Sequence, residues 1–301
     1  MKEMNVPLAF LVVITLWSTT PLTIQWSSQD VGFLFGVTSR MILGAIFASA
    51  AVFLFRYPFL RSRKALQTYV ASGVGIYVAM LFAYWGARYI PSGWISVIWG
   101  ISPVMTGILA TVFLNEKALT WNRLLGALVG IAGLSIIFLH SQNVGEKTLL
   151  GVGIILLGVL GQTSSAVWIK AINGNVNGLV VSAGGLLFSM PLFIITWWVF
   201  DGEWPEHVPN RAAASILYLS FFGSVVGFSA YFYLINHVEA SRVSLITLVT
   251  PVTALMVGHY WNNEQITLSV VYGAALILLG LLSYEWGEKF RLKVQRKVLS
   301  S

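Results

Sequence analysis

Cysteine is absent from this 301-residue chain, so disulfides, thiolate nucleophiles and cysteine-ligated metals are excluded. Charge is scarce too. Asp, Glu, Lys and Arg make up 10% of the residues, where a soluble domain carries about 25%. Only 11 residues are acidic, and none of them falls in the middle of an apolar run. The four histidines, His140, His207, His237 and His259, have no metal-ligand spacing. There is no Gly-x-x-x-x-Gly-Lys phosphate loop and no nucleophile–base pair. Nothing calls for a cofactor, and an enzyme is not expected.

What remains is apolar. Hydrophobic residues make up 57% of the chain and the mean hydropathy is +0.79, which predicts an all-α integral membrane protein. A hydrocarbon core of about 30 Å takes about 20 helical residues. That ruler predicts ten transmembrane helices, at roughly 7–26, 32–55, 66–88, 91–114, 120–140, 148–172, 178–200, 211–236, 240–260 and 267–286. Turn-forming clusters separate them, such as Arg56-Tyr57-Pro58, Asn173-Gly174-Asn175 and Asn262-Asn263-Glu264. The first span does not read as a cleaved signal peptide. A single Lys2 precedes it, it is long for an h-region, and no small-x-small site follows.

Lys and Arg set the orientation. With the N-terminus in the cytoplasm, fourteen of the eighteen basic residues lie inside and only Arg88, Lys147 and Arg211 outside, with Arg40 within a span. Both termini are therefore expected in the cytoplasm. The formal charge of +7 is a topology signal rather than a nucleic-acid footprint. The basic tail at 289–301 is expected to rest on anionic lipid headgroups.

The chain also repeats itself. Shifted by 148 positions, Ser96 falls on Ser244, Pro103 on Pro251, Asn115 on Asn263 and Glu116 on Glu264. After a one-residue gap, Gly126 falls on Gly273 and Gly133 on Gly280. The repeat divides one membrane domain into 1–143 and 144–288, with five spans in each. Five is odd, so the second unit inserts upside down. The expectation is a 5+5 inverted repeat around a central cavity, with the substrate site between the halves.

Leu16-Trp17-Ser18, Thr38-Ser39-Arg40, Ala87-Arg88-Tyr89-Ile90-Pro91-Ser92, Ser102-Pro103 and Leu114-Asn115-Glu116 stand in order in the first half. Glu239-Ala240-Ser241, Thr250-Pro251 and Asn263-Glu264 repeat part of the set. Together they resemble the drug/metabolite transporter (DMT) superfamily, specifically its ten-helix EamA-type branch, over residues 7–286. The resemblance implies a helical bundle with a central cavity and no nucleotide-binding domain. It also implies movement of small organic solutes: amino acids, nucleobases or nucleotide-derived compounds, vitamins, polyamines or toxic cations.

Periodicity picks out the candidate site. Ser92, Ser96, Trp99, Pro103 and Thr106 share one face of the fourth span. The repeat puts Ala240, Ser244, Thr247, Pro251 and Ala254 on the equivalent face of the ninth. Such a stripe either packs against another helix or lines a cavity. Pro103 and Pro251 each free a carbonyl that protein or water must satisfy. Trp17, Trp99, Tyr77, Tyr84 and Tyr231 are deep aromatics, either packed between helices or offered to planar or cationic substrates. Gln162 and Ser165, three apart in the sixth span, either share the cavity face or bond between helices. Trp197, Trp198, Trp204, Trp261 and Trp286 read as an interfacial belt.

Arg40 is the one charge expected within the hydrocarbon, where such residues are costly and functional. It either binds a substrate carboxylate or holds helices through their carbonyls, and the structural role is slightly favoured. Glu116 and Glu264 are expected to fix span ends, with gating as the alternative. No carboxylate lies mid-membrane and His259 is the one titratable stand-in, so facilitated transport or exchange fits better than proton coupling. The glycines of the fifth and tenth spans read as close helix packing and as a candidate homodimer contact.

The expected function is a secondary transporter in the bacterial cytoplasmic membrane. It would move small organic metabolites (amino acids, aromatic or cationic compounds) by alternating access, through export or facilitated diffusion. An importer of a planar metabolite such as a vitamin or nucleobase, and a lipid-carrier flippase, are the alternatives. The expected partners are the small-molecule substrate and membrane lipids.

Overall fold

The computed structural model describes residues 5–114, 121–139, 146–243, 246–280 and 282–283. Glu116, Ser244, Trp286 and the tail at 289–301 lie outside the described residues. Within them the chain is all helix: α1 (Val6–Ser28), α2 (Phe33–Leu54), α3 (Arg63–Gly86), α4 (Ser92–Leu114), α5 (Trp121–Leu139), α6 (Glu146–Ile172), α7 (Gly178–Phe200), α8 (Asn210–His237), α9 (Ile246–Asn262) and α10 (Leu268–Gly280). Side chains at the breaks start the helices. Asn5, Ser62 and Asn177 accept backbone N–H groups of Leu8, Ala65 and Leu179 at 2.9, 3.3 and 2.9 Å.

Seven of these helices, α1 to α4 and α6 to α8, are long and apolar enough to cross a membrane. Their outer surfaces carry large apolar side chains, with Phe53 86% and Phe200 77% exposed. In water that surface would be a liability; against lipid it is the favoured one. The chain is a multi-pass membrane protein.

Helices from the two parts of the sequence interleave. α3 packs on α6 and α7, α2 on α7 and α8, and α1 on α8 and α9. α4 packs on α9 with its first turns and on α6 with the rest. One end of the bundle, the mouth, gathers the C-termini of α1 and α9 and the α3–α4 connection, where Trp26 reaches Asn262 and Gln25 reaches Ala87. The far end gathers the start of α3 and the ends of α6 and α8, where Lys170 Nζ donates to the Ile235 and Val238 carbonyls at 3.0 and 2.8 Å.

Two helices depart from regular geometry. α4 breaks at Gly100 and Ile101, between helical stretches Ser92–Trp99 and Ser102–Leu114. α8 widens into a π-helical stretch over Leu219–Gly227, a geometry that occurs mostly as single turns and often at functional sites. The glycines of α5 and α10 pack those helices together within the chain. A Cβ on Gly133 would stand 2.5 Å from the Gly273 carbonyl oxygen, and one on Gly280 would collide with that of Gly126. Trp198, Trp204 and Trp261 are exposed at helix ends, as a belt requires, but Trp197 turns inward against Phe35.

Close backbone approach makes a testable contrast. A Cβ on Gly178 would meet the Ser229 carbonyl and lie 2.8 Å from the Tyr233 nitrogen, whereas one on Gly153 would meet nothing within 4 Å. Gly178→Ala should destabilise the protein by about 1–3 kcal/mol through overpacking. Gly153→Ala should be neutral or stabilise it by up to about 1 kcal/mol, because glycine is a poor helix former. Thermal unfolding of the two variants in detergent checks both signs.

Candidate functional site

A cavity of about 60 Å³ lies in the middle of the bundle. α1 supplies Trp17, Thr20, Pro21 and Ile24, α4 supplies Ile95, Ser96 and Trp99, and α9 supplies Thr247 and Thr250. Arg40 of α2, Met80 and Ala83 of α3, Gln162 of α6 and Phe228 of α8 close it. A second cavity of about 20 Å³ shares Trp17, Met80, Gln162 and Phe228 and adds Ser165 and Tyr231. Between the two, Gln162 is the hub. Its Oε1 accepts the Trp99 indole N–H at 3.1 Å, and its side chain hydrogen-bonds Tyr231, whose ring lies 5.1 Å from that of Trp17.

Departures from the regular helix fall at residues of this cavity. A proline inside a helix has no N–H for the carbonyl four residues earlier. Pro21 thereby frees the carbonyl of Trp17, the break at Gly100 and Ile101 leaves that of Trp99 outside the helical ladder, and Pro251 has no N–H to offer that of Thr247; all three residues line the cavity. At Trp99 the repair is local: Ser102 Oγ donates to the freed oxygen at 2.6 Å.

Arg40 is 1% exposed. Its Nε donates to Ser224 Oγ at 3.3 Å, and its own carbonyl accepts from Ser220 Oγ at 3.2 Å. Both serines belong to the π-helical stretch of α8. Gly223 of the same stretch leaves room for the guanidinium, since a Cβ there would stand 3.1 Å from Nη2. Nη1 has no hydrogen-bond partner among the described residues. The Tyr84 ring lies 5.9 Å from the guanidinium carbon.

The mouth is stitched shut above the cavity. Gln25 Nε2 donates to the carbonyls of Ala87 and Ile90 at 3.2 and 2.9 Å, and the Trp26 indole donates to Asn262 Oδ1 at 3.2 Å. α4 begins after Pro91 without a side-chain cap of its own. Glu264 supplies one from across the bundle: Oε1 accepts Ser92 N, Ser92 Oγ and Asn262 Nδ2 at 3.1, 2.5 and 3.0 Å, and Oε2 accepts Gly93 N at 3.2 Å. A carboxylate at a helix N-terminus gains both hydrogen bonds and the helix dipole. Asn263, in the left-handed region at φ 52°, turns the chain so that Glu264 reaches back, and Gly258 leaves space for its carboxylate. Outside these stitches a wider recess of about 460 Å³ is lined by Gln25, Tyr84, Arg88, Arg211 and Asn262 among others.

The structure thus brings Trp17, Ser96, Trp99, Gln162 and Thr247 to one cavity, with Ser165 and Tyr231 at its neighbour. Ser165 spends its hydroxyl on the Ala71 carbonyl at 2.9 Å, while Ser164 faces outward. Tyr84 stands between the mouth and Arg40, its hydroxyl accepting from Ser27 at 3.1 Å. Tyr77 stands apart: its hydroxyl pairs with Thr196 at 2.6 Å and its ring packs on Phe193 at 4.9 Å. The sequence reading missed Thr20, Pro21, Met80, Phe228 and Thr250. Of these Pro21 carried a signal, as a proline within an apolar run four residues after Trp17, and Thr250 stood in the repeated Thr250-Pro251 motif.

The EamA-like transporter family matches residues 5–139 and 149–284. An uncharacterized transporter, YoaV of Bacillus subtilis, is 24% identical over 280 residues, covering 92% of this chain and 95% of the relative. A "probable terminal-alkyne amino-acid exporter" of Streptantibioticus cattleyicolor is 27% identical over 289 residues, covering 94% of each. One solved crystal structure shares the fold with a TM-score of 0.72 at 16% identity, over 93% of this chain and 96% of the other.

The Glu264 cap yields a measurable cost. Glu264→Gln keeps the shape but loses the charge on its bonds to Ser92 and Gly93, and should destabilise the protein by about 1–2 kcal/mol. Ser92→Ala, which removes only the hydroxyl bond, should cost about 0.5–1.5 kcal/mol. Melting curves in detergent give both values.

Proposed function

Because the chain belongs to the EamA-like transporter family, we propose that it is a secondary transporter of small organic metabolites working by alternating access in the bacterial cytoplasmic membrane. The observation that carries this reading is the small central cavity beneath a stitched mouth. At about 60 Å³ it holds a few waters, while a pocket enclosing a metabolite measures about 300 Å³ or more. The bundle must open to admit a solute, and the stitches across Gln25, Trp26 and Glu264 are the contacts that opening toward the mouth breaks.

Ten spans in a 5+5 inverted repeat are part of the proposal, and helix contacts support them. Exchanging α1–α5 with α6–α10 turns the α3–α6 contact into α8–α1, α3–α7 into α8–α2, and α1–α9 into α6–α4, all of which occur. The α2–α7, α4–α9 and α5–α10 contacts map onto themselves. Two halves that can trade conformations give access from either side. Both termini are placed in the cytoplasm by the basic residues, with the mouth outside. Among the described residues the cavity is lined by no carboxylate or histidine, which favours facilitated diffusion or exchange over proton coupling. Export is favoured by the exporter relative; the Trp17, Trp99 and Tyr231 rings equally suit import of a planar metabolite. A homodimer through α5 and α10 would use their outer faces, at Leu125, Leu128, Val271 and Tyr272, since the glycines are occupied within the chain.

Counterflow in liposomes, screened across amino acids, nucleobases, vitamins and quaternary amines, tests the reading; transport of none of them rejects it. For a carried solute, Trp99→Ala and Thr247→Ala should each slow counterflow at least about fivefold, the loss of one good contact, and a pH gradient should not be required. The absence of cysteine makes the gate directly readable. A single cysteine at Gln25 should react with an impermeant maleimide from outside, and one at Ile24 should react faster once Glu264→Gln loosens the mouth.

A further inference from the structure

We propose that the transported solute carries a carboxylate, and that Arg40 is the residue that binds it. This rests on the transporter reading above and names the substrate class of the same cavity. Arg40 is 1% exposed, yet one of its terminal nitrogens has no partner among the described residues while the side chain lines the cavity. A buried guanidinium without hydrogen bonds is unfavourable unless something completes it. The protein supplies one side-chain contact, Ser224 Oγ on Nε, and none to Nη1 among the described residues.

Charge narrows the class further. The residues lining the cavity include one guanidinium and no carboxylate. One positive charge in a water-poor site compensates one negative charge. A dianion such as a phosphate monoester would leave a charge unpaired, and a free amine would face Arg40 with nothing acidic to offset it. Guanidinium is also suited to planar carboxylate recognition. The remaining walls, with Trp17, Trp99, Ile24, Ile95, Met80 and Phe228, take an apolar or aromatic body.

A second observation lies on the approach. The mouth recess is lined by Arg88 and Arg211 and by no carboxylate, with Asp201 facing only the adjoining recess beside Arg88. The two arginines are held over aromatic rings, Arg211 4.0 Å from Trp26 and Arg88 5.0 Å from Phe33. Tyr84 lines this recess and lies against Arg40. With the Glu264 carboxylate at the mouth held by Ser92, Gly93 and Asn262, the arginines of the mouth, Tyr84 and Arg40 make a path that concentrates anions.

The test is a matched series sharing one aromatic body: 3-phenylpropionate, phenylalanine, phenethylamine, 3-phenylpropanol and phenyl phosphate. Each is offered to the full-length protein in liposomes for counterflow and in detergent for thermal shift. The expected result is that 3-phenylpropionate or phenylalanine is carried and stabilises the protein, while the amine, alcohol and phosphate are not; which of the two carboxylates is preferred separates a simple acid from an amino acid. Arg40→Gln should weaken carboxylate binding by about tenfold to hundredfold, the loss of a bond to a charged group. Arg40→Lys should restore part of it. If neither variant folds, Arg88→Gln with Arg211→Gln should still slow carboxylate entry, more at low salt than at high salt. Preference for the amine, alcohol or phosphate overturns the carboxylate assignment and leaves the transporter reading standing. Counterflow of none of the five overturns the assignment; if the wider solute screen is negative as well, the transporter reading falls with it.

Discussion

In a hydrocarbon environment every backbone polar group must find its partner inside the protein, and this constraint explains where the helices are allowed to fail. A regular helix satisfies itself and can face lipid. A helix broken by proline or widened to π geometry cannot, so its irregular part must turn toward other helices or water. Pro21 lines the cavity, Pro103, Pro251 and the break at Gly100 are buried, and the π-helical stretch Leu219–Gly227 holds Arg40 through Ser224. Most of these departures gather around the cavity, and Pro191 of α7, on an exposed face, is the exception. Ser102, Ser220 and Ser224 stand outside the lining and serve the rearranged groups around it.

The same economy of polar contacts sets the mouth. α4 starts behind a proline with bare N–H groups, and the carboxylate that answers them belongs to the chain after α9. A cap supplied from another helix does two things at once: it finishes α4 and it fixes the position of α9 relative to it. Moving one helix away from the other leaves both a carboxylate and a helix end unsatisfied until water reaches them. Water is available only at the membrane edge, which is where the contact sits. The interaction that caps α4 is thus also one that an opening toward the mouth would have to break.

Much of this was legible in the sequence. Helix positions follow from the lengths of the apolar runs, and the inward face of α4 follows from Ser96 and Trp99 at a three-residue step. Gln162 was legible as a costly polar residue, and its two partners confirm only that it is satisfied, by Trp99 and Tyr231. What stayed hidden depends on relations between distant segments. Tyr77 and Tyr84 share a helix face by spacing, yet α7 captures the first and α1 the second, because periodicity says nothing about which neighbour arrives where. The π-helical stretch left no mark, since Leu219-Ser220-Phe221-Phe222-Gly223-Ser224 reads as any membrane helix. Glu264 was legible as a span end but its target, the start of α4, was not.

The aromatic residues and the arginine point to different ligands, and their magnitudes decide between them. Taken alone, Trp17, Trp99 and Tyr231 would suit a cation, and cation–π attraction contributes about 0.5–2 kcal/mol. Arg40 lines the same small cavity. Two like charges about 6 Å apart at an effective dielectric near 20 repel by about 3 kcal/mol. The repulsion equals or exceeds the attraction from one ring, and a cation gains no compensating carboxylate from the lining. For an anion the sign of the larger interaction reverses, and the same rings serve as apolar walls, with Trp99 and Tyr231 already hydrogen-bonded to Gln162. The rings then contribute shape, and the charge of the guanidinium decides which solutes can enter.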